Sequence, residues 1–261
     1  MSPEAAAGET RLSLDRRFGF AWRVAPSGRK DRPILIAVHD SDRDCFRTRD
    51  VFTPLALQQD LSVLAPHFPC RAITPSIADG YKFLCEPGAN YVDLLEAMLH
   101  TFAAARPFDR SRVFLFGFSG GGQFAHRYGL VAASRLAGVV IASPGSVTLL
   151  DETLPWWPGV AGIERVVGRP VDRRGLDGLP MHFIVGSNDL IEGMARRAPG
   201  DPYYSPFGQA AGANRIEMLE HLAESFRNNG AAASLERLAG VGHDLEPIAA
   251  AAIAHFSTLL T

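Results

Sequence analysis

Cysteine is scarce in this sequence: Cys45, Cys70 and Cys85 are the only three, and none stands in a C-x-x-C spacing. That argues against a disulfide framework and against a thiolate zinc site, and leads us to expect reduced, mostly buried thiols in a cytosolic protein. An excess of either charge is also missing. With 26 basic and 28 acidic residues and a formal net charge of -2, no global field favours nucleic acid or an anionic membrane. The basic pairs Arg173–Arg174 and Arg196–Arg197 are too short to reverse this locally. No stretch approaches the ~18 consecutive apolar residues that a membrane span needs. The opening MSPEAAAGET lacks both the basic start and the apolar centre of a signal peptide, so residues 1–10 read as a disordered tail. None of the eight histidines falls into an H-E-x-x-H or other zinc spacing. These absences lead to the expectation of a soluble, cytoplasmic protein that binds neither nucleic acid nor membrane. No internal repeat is evident.

The sequence does contain material for a sizeable core. Of its residues 47% are hydrophobic and 21% charged, and a chain of this length can bury most of its apolar surface without staples. Short continuous apolar runs recur at 33–38, 112–116, 136–142 and 181–185, as expected of strands covered on both faces. Weaker strand candidates lie at 18–24 (read as an edge strand), 61–65 and 233–238. Between them, residues 90–105, 123–133, 214–229 and 246–260 repeat apolar side chains at helical spacing. Strands alternating with helices predict an α/β fold with a mostly parallel central sheet and helices on both faces. Residues 11–261 are expected to form one domain. Two irregular insertions, at about 143–179 and 192–213, break the alternation and are long enough to serve as binding walls or lids.

The segment RVFLF runs directly into Gly117-Phe118-Ser119-Gly120-Gly121, and a helical pattern follows. This is the G-x-S-x-G nucleophile elbow in the strand–turn–helix context that it requires. A serine held in so sharp a turn needs neighbours without side chains, which Gly117 and Gly121 provide. The turn also aims the N–H of Gly120 at the place where an oxyanion would develop. The bland alternative is a glycine-rich turn whose serine only caps a helix.

A serine hydroxyl is a weak nucleophile without a base. His243, in Gly240-Val241-Gly242-His243-Asp244, lies on a late loop before the last helix, whereas its competitor His255 falls inside that helix. An acid should follow a strand between serine and histidine. Asp189, in Gly186-Ser187-Asn188-Asp189, stands in that place, with Asp151, Glu152, Asp172 and Asp177 as alternatives. A second oxyanion donor should come from the loop after PILIAV, which reads His39-Asp40-Ser41. The backbone N–H of either Asp40 or Ser41 would serve, with His39 shaping the loop. Trp156, Trp157, Tyr203 and Tyr204, with Phe207, fall in the two insertions. They either line a substrate pocket or pin the insertions to the domain. Tyr81 and Phe83 form a further aromatic patch without an assigned role, and nothing near Cys85 supplies it with a base.

In order and spacing, Gly-Phe-Ser119-Gly-Gly, Gly-Ser-Asn-Asp189 and Gly-Val-Gly-His243-Asp resemble the α/β-hydrolase superfamily across residues 18–261. The start of the helix after Ser119 and the lack of a large cap resemble esterases of the dienelactone-hydrolase and polyhydroxybutyrate-depolymerase-like groups. The sequence departs from many lipases, which have His-Gly where this chain has His39-Asp40. The resemblance implies an α/β-hydrolase fold and a Ser119–His243–Asp189 triad that needs no metal or organic cofactor. It further implies a carboxylic-ester hydrolase acting on a small-molecule ester or acyl substrate. The same triad would serve an acyltransferase, thioesterase or peptidase. A non-catalytic binding module is the reading from a different class.

Overall fold

A computed structural model describes residues 6–191 and 196–260. The strands are β1 (Ala7–Arg11), β2 (Gly19–Arg23), β3 (Ile34–Val38), β4 (Ser62–His67), β5 (Cys85–Glu86), β6 (Ala89–Asn90), β7 (Val113–Phe118), β8 (Gly138–Ala142), β9 (Pro180–Gly186) and β10 (Ala232–Leu238). The helices are α1 (Cys45–Asp50), α2 (Thr53–Gln59), α3 (Tyr91–Ala105), α4 (Gly120–Ala132), α5 (Ile163–Val167), α6 (Arg173–Leu176), α7 (Arg215–Asn228) and α8 (Leu245–Leu260).

Eight strands form one sheet in the order β1-β2-β4-β3-β7-β8-β9-β10. From β4 to β10 the pairing is parallel, and β1 and β2 join antiparallel. Strands β3, β7 and β8 are buried at every residue, which is why they read as unbroken apolar runs. One face of the sheet is covered by α3, α4 and α7, through Val92, Phe102, Phe124, Leu222 and Phe226. The other is covered by α2 and α8, through Phe52, Leu55, Ile248 and Phe256. Asn90 caps α3 by accepting from the N–H groups of Val92 and Asp93, and Asn214 caps α7 through Ile216 and Glu217. Each such cap contributes about 1 kcal/mol.

Several expectations are corrected. Residues 7–10 are not a disordered tail but belong to β1, paired in register with β2 from Ala7↔Arg23 to Arg11↔Gly19; residues 1–5 lie outside the described residues. The strand AGETR has no apolar alternation of its own. Its partner supplies the contacts: Trp22 lies against Gly8, and its Nε1 donates to Thr10 Oγ1 at 3.1 Å. Consequently β2 is an interior strand, not an edge. Helix α4 starts three residues before the predicted 123, because Gly120, Gly121 and Gly122 carry no helical signal yet are enforced by the turn. The first insertion contains α5 and α6, and residues 192–195 of the second lie outside the described residues. The cysteines are free, but only Cys45 is buried, and Cys70 is exposed. Among the described residues, no helix is long and apolar enough to cross a membrane.

Two histidines are built into the interior as neutral groups. His39 donates from Nδ1 to Asp40 C=O at 2.7 Å and accepts the Phe68 N–H at Nε2 at 3.1 Å. His126 repeats the arrangement with Gly122 C=O and the Thr148 N–H, at 2.8 and 3.0 Å. In each, a proton on Nε2 would displace a bonded amide. Burial pushes the His39 pKa down to about 3 and that of His126 well below its ordinary value. Unfolding restores the ordinary value of 6.5, so at acid pH the unfolded chain takes up protons that the folded chain refuses. Their contribution to stability is complete above pH 6.5 and is lost as the pH falls below it, for His39 down to about 3. The slope is about 1.4 kcal/mol per pH unit per histidine. Urea denaturation at pH 7 and pH 5 is expected to differ by roughly 2 kcal/mol from His39, with His126 adding in the same direction, before carboxylates titrate. Equal stability at the two pH values would contradict the neutral assignment.

Candidate active site

Ser119 occupies the corner between β7 and α4 with φ 56° and ψ -110°, a conformation that L-residues rarely adopt. The surrounding backbone leaves no room for side chains. A Cβ on Gly117 would stand 2.0 Å from Gly121 C=O, and one on Gly121 would stand 2.1 Å from Val38 C=O. The Ser119 N–H is held by Ala142 C=O at 2.9 Å. The turn therefore lifts the hydroxyl to the C-terminal edge of the parallel strands while keeping the residue 8% exposed.

The structure brings Asp189 and His243 to the same edge. Asp189 follows β9, and His243 lies between β10 and α8. Their two loops are laced together. Asn188 N–H donates to Val241 C=O at 2.8 Å, Gly240 N–H donates to Ser187 Oγ at 2.9 Å, and a Cβ on Gly186 would meet Val241 C=O at 2.3 Å. His243 Nδ1 lies 2.6 Å from Asp189 Oδ2, and His243 Nε2 lies 2.9 Å from Ser119 Oγ. A carboxylate only accepts, so Nδ1 carries the proton and Nε2 is left to accept from the serine hydroxyl. The Phe118 ring lies 4.6 Å from the imidazole, centroid to centroid, and limits its rotation.

Asp189 is 1% exposed. Burial works to raise its pKa, but the hydrogen bond and charge of His243 and the charge of Arg215 outweigh it, so the carboxyl lies below its ordinary value. Arg215 donates to Asp189 Oδ1 at 3.1 Å, and the sequence carried no sign of this partner 26 residues away. The alternative acids are engaged elsewhere. Asp151 accepts from Thr153, Asp172 from Ser134 and Gly175, and Glu152 pairs with Arg173. Asp177 lies at the end of α6 beside Gly230. His255 stacks on His182 at 4.1 Å, inside α8.

A cavity of about 260 Å³ opens over Ser119 and His243, bordered by Asp40, Ser41, Arg47 and Leu245. Within the 39–41 loop the peptide orientations differ in use. The carbonyl of Asp40 is bonded by Tyr81 Oη at 2.9 Å and His39 Nδ1 at 2.7 Å. In a trans peptide the following N–H points the opposite way, so the Ser41 N–H faces away from Tyr81. Ser41 N lies 3.3 Å from where a Gly120 Cβ would stand, a point that Tyr81 Oη approaches more closely, at 2.2 Å. His39 itself is fully buried and shapes this loop.

The aromatic residues of the insertions do not border this cavity, which corrects their reading as pocket walls. Trp157 is 3% exposed and meets Phe83 edge-on at 5.5 Å. Tyr203 stacks on Phe83 at 4.0 Å. Trp157 Nε1 donates to Tyr203 C=O at 2.7 Å, and Tyr203 Oη donates to Cys85 C=O at 2.9 Å. The guanidinium of Arg127 sits 4.5 Å over Phe83. Trp156 is tied to Ala161 by its backbone, while Tyr204 and Phe207 are exposed. The aromatic faces satisfy one another and pin the two insertions together.

The chain matches no protein-family model and no curated protein in sequence. Solved structures resemble it closely in shape. The poly(3-hydroxybutyrate) depolymerase of Bordetella parapertussis superposes with a TM-score of 0.73 at 23% identity, covering 97% of this chain and 90% of its own. The poly(aspartic acid) hydrolase-1 of Sphingomonas sp. KT-1 gives 0.74 at 18% identity, covering 96% and 98%. An S-formylglutathione hydrolase of Agrobacterium tumefaciens gives 0.65 at 15% identity, covering 100% and 96%. The chain has the α/β-hydrolase fold. Ser119 stands in the turn between β7 and α4 of this fold.

Proposed function

We propose that this protein is a serine hydrolase that cleaves a carboxylic ester of a small or medium substrate through an acyl-enzyme on Ser119. The observation that carries the reading is the continuous hydrogen-bonded line from Asp189 Oδ2 through His243 to Ser119 Oγ, at 2.6 and 2.9 Å, at the floor of an open cavity. In this reading Ser119 Oγ attacks the ester carbonyl and its proton passes to His243 Nε2. The carbonyl π electrons move to oxygen, and the N–H groups of Gly120 and Ser41 hold the resulting oxyanion. Collapse expels the alcohol, which takes the proton from His243. Water repeats the sequence to free the acid and restore the serine. Asp189 stays ionised and steadies the imidazolium in both halves.

A cavity of about 260 Å³ is smaller than most drug-sized pockets, which favours short acyl or alcohol groups. The likeness to the depolymerase and hydrolase structures supports the reading at the level of fold. The test is hydrolysis of short p-nitrophenyl esters together with fluorophosphonate labelling, the modified peptide being located by mass spectrometry. Turnover with label on Ser119 is expected. Intact esters and an unlabelled Ser119 would overturn the proposal.

A further inference from the structure

The short turn Gly80–Phe83 grips the 39–41 loop with two consecutive side chains. Tyr81 Oη donates to Asp40 C=O at 2.9 Å, and Lys82 Nζ donates to Ser41 Oγ at 2.9 Å. Lys82 is 1% exposed, and its ammonium pairs with Asp79 Oδ1 at 2.7 Å. The other oxygen of Asp79 receives Arg197 Nη2 at 3.0 Å, and Arg197 Nη1 holds Asp201 at 2.9 Å. A line of charge-assisted contacts thus runs from the second insertion to the loop beside Ser119. Its position is close to the nucleophile: a Cβ on Gly120 would stand 3.0 Å from Lys82 Cε.

Burial of an ammonium carries a heavy desolvation penalty, and a pair of well-packed apolar residues commonly stabilises a fold as well or better. Fold stability is therefore a poor reason for a lysine here. What the ammonium does that an apolar side chain cannot is fix Ser41 by its hydroxyl. Ser41 is exposed in a turn; the bonds from Tyr81, His39 and the Arg43 N–H all fall on the preceding Asp40 carbonyl, whereas the bond from Lys82 falls on Ser41 itself. We infer that Lys82 is a positioning residue: by holding Ser41 Oγ it keeps the Ser41 N–H aimed at the oxyanion formed on the substrate. The inference rests on the serine-hydrolase reading and names a residue which that reading does not require.

The experiment is a double-mutant cycle on the full chain, with p-nitrophenyl acetate as substrate and a trifluoromethyl ketone as the oxyanion-forming inhibitor. Removing an oxyanion donor outright costs on the order of 10²- to 10³-fold in kcat. Loosening one is expected to cost about 10-fold in Lys82→Met, with KM within about twofold of wild type. Ser41→Ala, which keeps the N–H and loses the anchor, is expected to fall in the same way, and the double variant to be no worse than Lys82→Met alone. Inhibitor affinity should weaken by the same factor as kcat/KM. Additive losses, or a lowered Tm with unchanged kcat and inhibitor affinity, would overturn the inference while leaving the hydrolase reading intact. Should Lys82→Met fail to fold, Ser41→Ala decides alone, because it leaves the Asp79 pair untouched: unchanged kcat and inhibitor affinity in that variant would overturn the inference. A wild-type protein that neither hydrolyses esters nor takes label at Ser119 would remove both proposals together.

Discussion

Ser119→Ala is expected to lower kcat toward a short p-nitrophenyl ester by a factor on the order of 10⁴ to 10⁶. The size of the loss follows from what remains. Alanine keeps Cβ in the same corner, so the turn and the N–H groups of Gly120 and Ser41 are undisturbed. On the proposed mechanism no atom is then left to carry the acyl group, and His243 Nε2 loses the hydroxyl that it faces at 2.9 Å. Residual activity then comes from water attacking a carbonyl polarised in the cavity, as happens when one member of such a relay is removed. Stability should barely change, because the deleted atom makes one hydrogen bond at a partly open site and leaves no buried acceptor without access to water. The measurement is kcat by stopped assay at high enzyme concentration, alongside thermal unfolding. A variant with wild-type turnover and an unchanged Tm would remove Ser119 from the chemistry altogether. A variant that loses both would only mean that the turn tolerates no change, and Ser119→Cys would then be the substitution to measure.

The features that could be read from the sequence are those whose physical cause is local. Strands β3, β7, β8 and β9 announce themselves because burial on both faces demands an unbroken apolar run. The corner at Ser119 is legible because the steric demand falls on its immediate neighbours, Gly117 and Gly121. The places of Asp189 and His243 follow from chain order once that corner is found. What escaped reading has causes distant in sequence. Strand β1 exists because Trp22 covers it. Lys82 meets Ser41 across 41 residues, and Arg215 meets Asp189 across 26; neither pair has a spacing to betray it. The aromatic insertions illustrate a different limit. Trp157 and Tyr203 are well suited to a pocket wall, and only the fold reveals that Phe83 and Arg127 already occupy their faces. The proposal of the Ser41 amide over that of Asp40 likewise draws on the direction of one carbonyl, set by Tyr81.

Asp189→Asn should be nearly as damaging to turnover as removal of the serine, at roughly 10⁴-fold in kcat, although the side-chain shape is unchanged. Asp189 accepts the Nδ1 proton of His243 at 2.6 Å. An amide placed there can turn its NH₂ toward the ring and donate, which moves the imidazole proton to Nε2. That proton then faces Ser119 Oγ, and the lone pair needed to receive the serine hydrogen is gone. KM should change little, since the carboxylate lies behind the histidine and is 1% exposed. A second consequence separates this variant from Ser119→Ala. Arg215 loses its anion at 3.1 Å while still largely buried, and breaking a buried pair from one side costs about 3–5 kcal/mol before any rearrangement. The variant should therefore unfold at lower urea as well as turn over slowly. Acid titration of the wild type supplies the matching sign. The Asp189 pKa is held below its unfolded value of 3.8, so its contribution to stability is present above that pH and fades as the pH drops through the folded value. In Asp189→Asn this acid-dependent part should be absent, leaving a flatter stability profile below pH 4. Fluorophosphonate labelling of Ser119 should slow in step with kcat. Labelling at the wild-type rate, in a variant that unfolds early, would mean that Asp189 serves Arg215 and the fold but not the imidazole.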